Sequence, residues 1–117
     1  MVETQLTWED DDRLVITCTG RIGFDDRESL PRTVADAIGS RPAPQLILDV
    51  ESVEFVDSAG VGALLVVGKS VAERGGKLVM ANVPPHLTEL FTTVGLDRLF
   101  HLTDTLAEAR AYLGEPV

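Results

Sequence analysis

A single cysteine, few basic side chains and no long apolar run mark this 117-residue sequence, and each scarcity removes a class of function. Cys18 alone can neither close an internal disulfide nor build a thiolate metal site. Ten Lys and Arg against nineteen Asp and Glu leave a formal charge of -9 and a pI near 4.5. Such a field repels phosphate backbones and anionic lipid, which argues against direct nucleic-acid binding and against attachment to a membrane surface. The longest charge-free apolar stretch, between Asp57 and Lys69, is too short to cross a bilayer and is interrupted by three glycines. The opening Met1-Val2-Glu3-Thr4 lacks the basic-then-apolar pattern of a signal peptide, so a cytoplasmic protein is expected. His86 and His101 stand far from Cys18 and form no H-x-x-x-H pair, so no metal site is predicted; His101 reads as a structural histidine within a strand.

What is present is the composition of one folded domain. At 44% hydrophobic and 25% charged residues the chain is not disordered. At this length it can bury roughly two-thirds of the surface its unfolded form exposes. One domain over residues 1–117 is therefore expected, without repeat or linker.

Stretches of period two and period 3.6 alternate along it. Thr4–Trp8 and Leu14–Thr19 flank the acidic run Glu9-Asp10-Asp11-Asp12 and read as a hairpin around a solvated turn. A loop from Gly20 leads into a helix from about Asp26 to Ile38, with Leu30, Val34, Ala37 and Ile38 on one face and Gly39 at its end. Gln45–Val50 is a dense apolar strand of the kind buried on both faces, followed by a polar bend over Glu51–Asp57. A helix then runs from Ser58 to about Arg74, and Lys77–Ala81 forms the next strand. Pro84-Pro85 opens a helix with Leu87, Leu90, Phe91 and Val94 as its buried stripe. Arg98–Leu102 is a candidate short strand, and Thr105 with Glu108 caps a last helix whose Leu106, Ala109 and Leu113 point inward. The predicted class is α/β: a mixed, mostly parallel sheet of four to five strands packed with about four helices.

Two enzyme patterns fail on local geometry. Ser58 lies in Val56-Asp57-Ser58-Ala59-Gly60, not G-x-S-x-G, and the β-branched Val56 resists a strained nucleophile elbow. The run Ala63–Ser70 ends in Gly68-Lys69-Ser70 and imitates a phosphate-binding loop. Its middle residues are large and apolar, however, and the Gly-Lys-Ser falls inside a helical pattern instead of opening one.

The segment Asp57-Ser58-Ala59-Gly60-Val61-Gly62 follows a buried strand and opens a helix, a position where α/β proteins place function. Helix capping by Ser58 would account for its hydroxyl, and Ser58→Ala would then cost about 1 kcal/mol. It does not account for Gly60 and Gly62, each of which costs about 1 kcal/mol of helix propensity relative to Ala. Two such glycines imply close approach of another backbone or of a partner. Val61, Leu64, Leu65, Gly68, Val71 and Ala72 form the expected inward stripe. A second stripe of Ala59, Ala63, Val66 and Ser70 faces elsewhere, either under a flanking element or as a shallow docking face.

These residues resemble a known family. Leu46-Ile47-Leu48-Asp49-Val50, then Val53, Phe55-Val56-Asp57-Ser58-Ala59-Gly60-Val61-Gly62-Ala63-Leu64-Leu65, Gly76-Lys77-Leu78-Val79 and Gly95-Leu96-Asp97 are similar to STAS domains, in particular bacterial anti-sigma factor antagonists. The resemblance implies that Ser58 is a phospho-acceptor for a partner anti-sigma factor of the serine-kinase type, that the unphosphorylated form binds that partner and frees a sigma factor, and that a serine phosphatase resets the cycle. It further implies a partner surface made of Asp57, Ala59, Gly60, Val61, Gly62, Ala63 and Val66, with Gly23 and Asp25 from the loop after the second strand. No catalytic residue and no cofactor are implied. The sequence departs from the family at that loop, where an Asp and a later Thr or Asn are common and Gly23 and Asp26 stand here. A second expectation keeps the fold but makes the chain a non-switching subunit docked on a transporter ATPase or a stress-signalling assembly. A small hydrolase working through Ser58 or Lys69 is the third, with no general base placed near either group.

Overall fold

The hairpin expected at the N-terminus forms, with β1 at Val2–Trp8 and β2 at Arg13–Ile22 paired antiparallel. The structure, a computed structural model, describes residues 1–10 and 12–114, so Asp11 of the acidic turn lies outside the described residues. Asp10 closes that turn by accepting the backbone N–H groups of Asp12 and Arg13 at 2.8 and 2.9 Å. Then follow α1 (Ser29–Ile38), β3 (Gln45–Val56), α2 (Ser58–Glu73), β4 (Lys77–Ala81), α3 (Pro85–Thr93), β5 (His101–Leu102) and α4 (Leu106–Tyr112), with short 3-10 turns at Phe24–Asp26 and Leu96–Arg98. The strands lie in chain order, β1-β2-β3-β4-β5, and every pairing after the first is parallel. The predicted mixed, mostly parallel sheet is thus observed, with four helices among the described residues.

The pleat sorts the core into two layers. Leu14, Ile16, Leu46, Leu48, Leu78 and Met80 face α1, α2 and α3. Val15, Ile47, Val79 and Ala81 face the other way, where Leu106 and Ala109 of α4 and the Leu113 that follows it cover them. That two-sided burial is why Gln45–Val50 and Lys77–Ala81 read as continuous apolar runs.

Several boundaries differ from expectation. Strand β3 runs on through the segment expected to bend, because Ser52, Val53, Phe55 and Val56 pair with Thr19, Gly20, Arg21 and Ile22 of a lengthened β2 across two irregularities in register. Helix α1 begins at Ser29 instead of Asp26, which closes the preceding 3-10 turn. Pro31 is harmless there, since the amides of a first helical turn have no intrahelical partner. Val94 is 49% exposed and not part of the buried stripe of α3, whereas Leu87 and Phe91 are buried as expected. The last strand is only two residues long, and within it His101 is exposed, its ring stacked on Tyr112 at 3.9 Å between centroids.

The faces of α2 also differ. Its buried residues are Gly60, Ala63, Leu64, Val67 and Val71, while Ala72 is exposed and Val61 and Leu65 are half-buried. Ala63, assigned to the outer stripe, is 1% exposed. A helix that is apolar nearly all round has no polar face to betray its orientation, and the smallest side chains go where the sheet comes closest. Lys69 lies in the interior of α2 and is exposed, so the apparent phosphate-binding loop is ordinary helix.

Candidate functional site

Strand β3 ends at Val56 and α2 starts two residues later, so Asp57 is the hinge between sheet and helix. Its N–H donates to the carbonyl of Ile22 at 3.2 Å, fastening the turn to the end of β2. Its Oδ1 accepts the N–H of Gly60 at 2.8 Å, so Asp57 is the N-cap. Ser58, the first helical residue, is exposed, and its hydroxyl makes no hydrogen bond among the described residues. The capping account therefore belongs to Asp57 and leaves the Ser58 hydroxyl unused.

The two glycines separate. A β-carbon on Gly60 would stand 2.1 Å from the carbonyl oxygen of Ile22, so this glycine lets the first turn of α2 lie directly on the end of β2. Among the described residues, leaving aside the chain neighbours and the backbone of α2 itself, nothing lies within 4 Å of a β-carbon built on Gly62, so no packing contact there demands that glycine. The close approach inferred from sequence is met inside the molecule at one position and left open at the other.

The loop after β2 is pinned beside this hinge. Asp26, 1% exposed, accepts the N–H of Gly23 at 2.9 Å with Oδ2 and that of Val2 at 3.0 Å with Oδ1. One buried carboxylate thus ties the loop to the start of β1. A β-carbon on Gly23 would lie 2.8 Å from Asp57 Oδ2, so Gly23 packs directly against the capping carboxylate. Asp25 and Phe24 project outward, and Phe24 is 61% exposed. Asp26 was read from sequence as the start of a helix and as a departure from a pattern, since nothing local signals that it reaches two backbone amides.

An open groove of about 380 Å³ borders Ser58, lined by Phe55, Val56, Asp57, Ser58, Val61, Leu90 and Val94. Its walls are mostly apolar, and Phe55 and Val94 are each about half exposed. On the far side of Phe55 an open cavity of about 330 Å³ is lined by Arg21, Gly23, Phe24, Asp25, Asp26, Asp57 and Met1. Of the residues expected at the site, Ser58 and Val61 line the groove, Gly23 and Asp25 line the cavity, and Asp57 borders both; Ala59 and Gly62 are half-buried and Val66 half exposed on α2, and Gly60 and Ala63 are buried. Phe55, Leu90 and Val94 were missed as site residues. Leu90 and Val94 keep the helical spacing of core residues and Phe55 lies in the stretch read as a polar bend, so only their placement at the open end of the sheet brings them together. A larger groove of about 590 Å³ along α3, lined by Val83, Pro85, Thr88, Glu89, Thr92, Thr93 and Asp104, does not include Ser58.

The sequence model of the STAS domain matches residues 5–109. The chain belongs to the STAS domain family. Among STAS relatives, BtrV of Bordetella bronchiseptica, a candidate anti-sigma factor antagonist, is 26% identical over 108 residues covering 92% of each chain. Among solved STAS structures, the anti-sigma factor antagonist SpoIIAA in its unphosphorylated form matches with a TM-score of 0.81 at 23% identity, over 98% of this chain and 99% of that one. A sulfate transporter family protein from Wolinella succinogenes matches with a TM-score of 0.73 at 24% identity, over 84% and 81% of the two chains. The STAS fold thus occurs in both settings, and the open hydroxyl at the α2 hinge has to be interpreted on its own chemistry.

Proposed function

We propose that the chain is an anti-sigma factor antagonist, a non-catalytic binding module switched by phosphorylation of Ser58. The observation that carries this is the free hydroxyl of Ser58 at the rim of an apolar groove, spared from capping by Asp57. In the unphosphorylated form a serine-kinase anti-sigma factor covers the groove and the outer face of α2, contacting Asp57, Ala59, Val61, Gly62 and Val66 with Gly23 and Asp25. Gly60 and Ala63 act only by letting α2 sit close to the sheet. The kinase transfers the γ-phosphoryl group of ATP to Ser58 Oγ; the hydroxyl proton is lost and ADP departs. A serine phosphatase hydrolyses the ester with water and returns the hydroxyl and inorganic phosphate.

Magnitudes favour a binding switch over a folding switch. The phosphate adds nearly two negative charges at pH 7. At an exposed helix N-terminus the macrodipole favours it by about 0.3–2 kcal/mol, against repulsion from Asp57. Buried under a partner, the same charge is uncompensated, and a loss of about 3 kcal/mol is already more than a hundredfold in affinity. Stability changes little while binding collapses.

The test is calorimetric titration of a serine-kinase anti-sigma factor with the wild-type protein and with Ser58→Asp, alongside phosphopeptide mass spectrometry at Ser58 on protein from its own cells. Tight binding by the serine form and at least a hundredfold loss with Ser58→Asp are expected. Equal binding of both forms would sink the proposal, and a stable complex indifferent to position 58 would point to a constitutive docking subunit.

A further inference from the structure

A phosphoryl group on Ser58 would join a chain of formal charge -9, next to Asp57, which shares an open cavity with Asp25. Arg21 borders Phe55, on the stretch of β3 that leads into Ser58, and among the described residues is held there only by a ring contact. Arg21 pairs with Phe55 across β2 and β3, and their successors Ile22 and Val56 point into the core, so Arg21 and Phe55 share the opposite, outer side. The Arg21 guanidinium lies over the Phe55 ring, 5.1 Å from its centroid, and both residues are exposed. Among the described residues Arg21 makes no ion pair, although it shares its open cavity with Asp25 and Asp57. Phe55 lines both that cavity and the groove bordered by Ser58. Ser58 follows Phe55 by three residues, at most about 10 Å of backbone. Arg27, the other arginine of this loop, is already engaged: it stacks over Phe24 at 3.8 Å and donates to the Phe24 carbonyl at 3.0 Å.

We infer that Arg21 is the counter-charge in cis for a phosphoryl group on Ser58, its guanidinium leaving the Phe55 ring to pair with the phosphate oxygens. The inference rests on Ser58 as the phospho-acceptor and adds how the phosphorylated state is held. An exposed cation–π contact is weak and readily exchanged. A guanidinium meets phosphate through two parallel charge-assisted hydrogen bonds. A dianion also outcompetes the single charges of Asp25 and Asp57 for the same group. The phosphorylated protein is then a self-contained state, with its added charge partly neutralised before any partner is met.

The test places phosphoserine at position 58 by directed incorporation, so that no kinase is needed, and follows its second ionisation by phosphorus NMR. That ionisation ordinarily centres near pH 6. Asp25, Asp26, Asp57 and Glu54 raise the midpoint, and Arg27, the exposed His86 and the amino terminus at Met1 lower it; these remain in every variant except where named, so differences isolate Arg21. The midpoint is expected to rise by about half a unit, a threefold change in the ionisation constant, in Arg21→Gln, to a smaller extent in Arg21→Lys, and least of all in Arg27→Ala. Equal midpoints for the wild type and Arg21→Gln would overturn the inference, as would a rise confined to Arg27→Ala. Arg21 is exposed, so the variants should fold, which their unphosphorylated melting temperatures check. Protein from cells that never carries phosphate on Ser58 would remove the switch yet leave this coupling standing. Equal midpoints would remove Arg21 and leave the switch standing.

Discussion

The carboxylate of Asp57 holds the amide of Gly60 at 2.8 Å, and that bond releases the neighbouring Ser58 from any structural duty. The two side chains should therefore separate in stability measurements. Asp57→Ala loses a helix cap and should cost about 1 kcal/mol, within a range of 0.5–2. Ser58→Ala should fall within about 0.5 kcal/mol of wild type, as an exposed substitution removing no contact. Urea unfolding of both variants checks this, and a larger loss for Ser58→Ala than for Asp57→Ala would contradict the assignment of the cap.

Gly60 and Gly62 should respond in opposite directions to alanine. At Gly60 the new methyl meets the backbone of Ile22, which cannot yield without parting α2 from β2. Overpacking of this kind costs about 1–3 kcal/mol or more, and the variant should be strongly destabilised or unfolded. At Gly62 there is open space, and alanine should add about 1 kcal/mol through helix propensity. If Gly62 lies under a docked partner, that stabler variant should bind the anti-sigma factor more weakly. A thermal melt paired with a titration reads both effects.

The groove beside Ser58 offers a third check. Val94 and Phe55 are about half exposed, so Val94→Asp and Phe55→Ala should alter stability modestly. A charge placed in an apolar contact should weaken partner binding at least tenfold, or about 1.4 kcal/mol. Thr92→Asp, in the larger groove along α3, serves as the control and should leave binding unchanged.

Cys18 sets a chemical limit at alkaline pH. Burial, reinforced by the carboxylates of Asp49 and Asp26, pushes its thiol from an ordinary 9.0 up to about 12. The unfolded chain therefore releases this proton first. The contribution to stability is complete below about pH 9 and is lost as pH rises from there towards 12. Cys18→Ala should show a shallower alkaline decline in urea midpoint than wild type. Iodoacetamide should label the native thiol far more slowly than the unfolded one.

The element order was legible because its signals are local. Pro85 at the first position of α3, Gly39 and Gly95 at or just beyond the ends of α1 and α3, and Thr105 accepting the amide of Glu108 at 3.0 Å all act within a few residues. The extension of β3 was not legible. Glu51, Ser52, Glu54 and Phe55 are exposed, and this stretch becomes strand only because β2 continues beside it as far as Ile22. The inward face of α2 was misassigned for a related reason. With Val61, Leu65 and Val66 apolar outside the buried stripe, periodicity alone does not choose a face.

By itself the amino-acid sequence determined the α/β class and the alternation of elements, and it marked the segment Asp57–Gly62 as a candidate site, since propensity, capping and the hydrophobic period are carried by neighbours along the chain. Only the tertiary structure decided which side chain caps α2, which glycine is needed for packing and which residues surround Ser58. Those answers depend on Ile22, Gly23, Leu90 and Val94 meeting at the open end of the sheet. Contacts between segments so distant in sequence are set by strand register and helix packing, which no local pattern encodes.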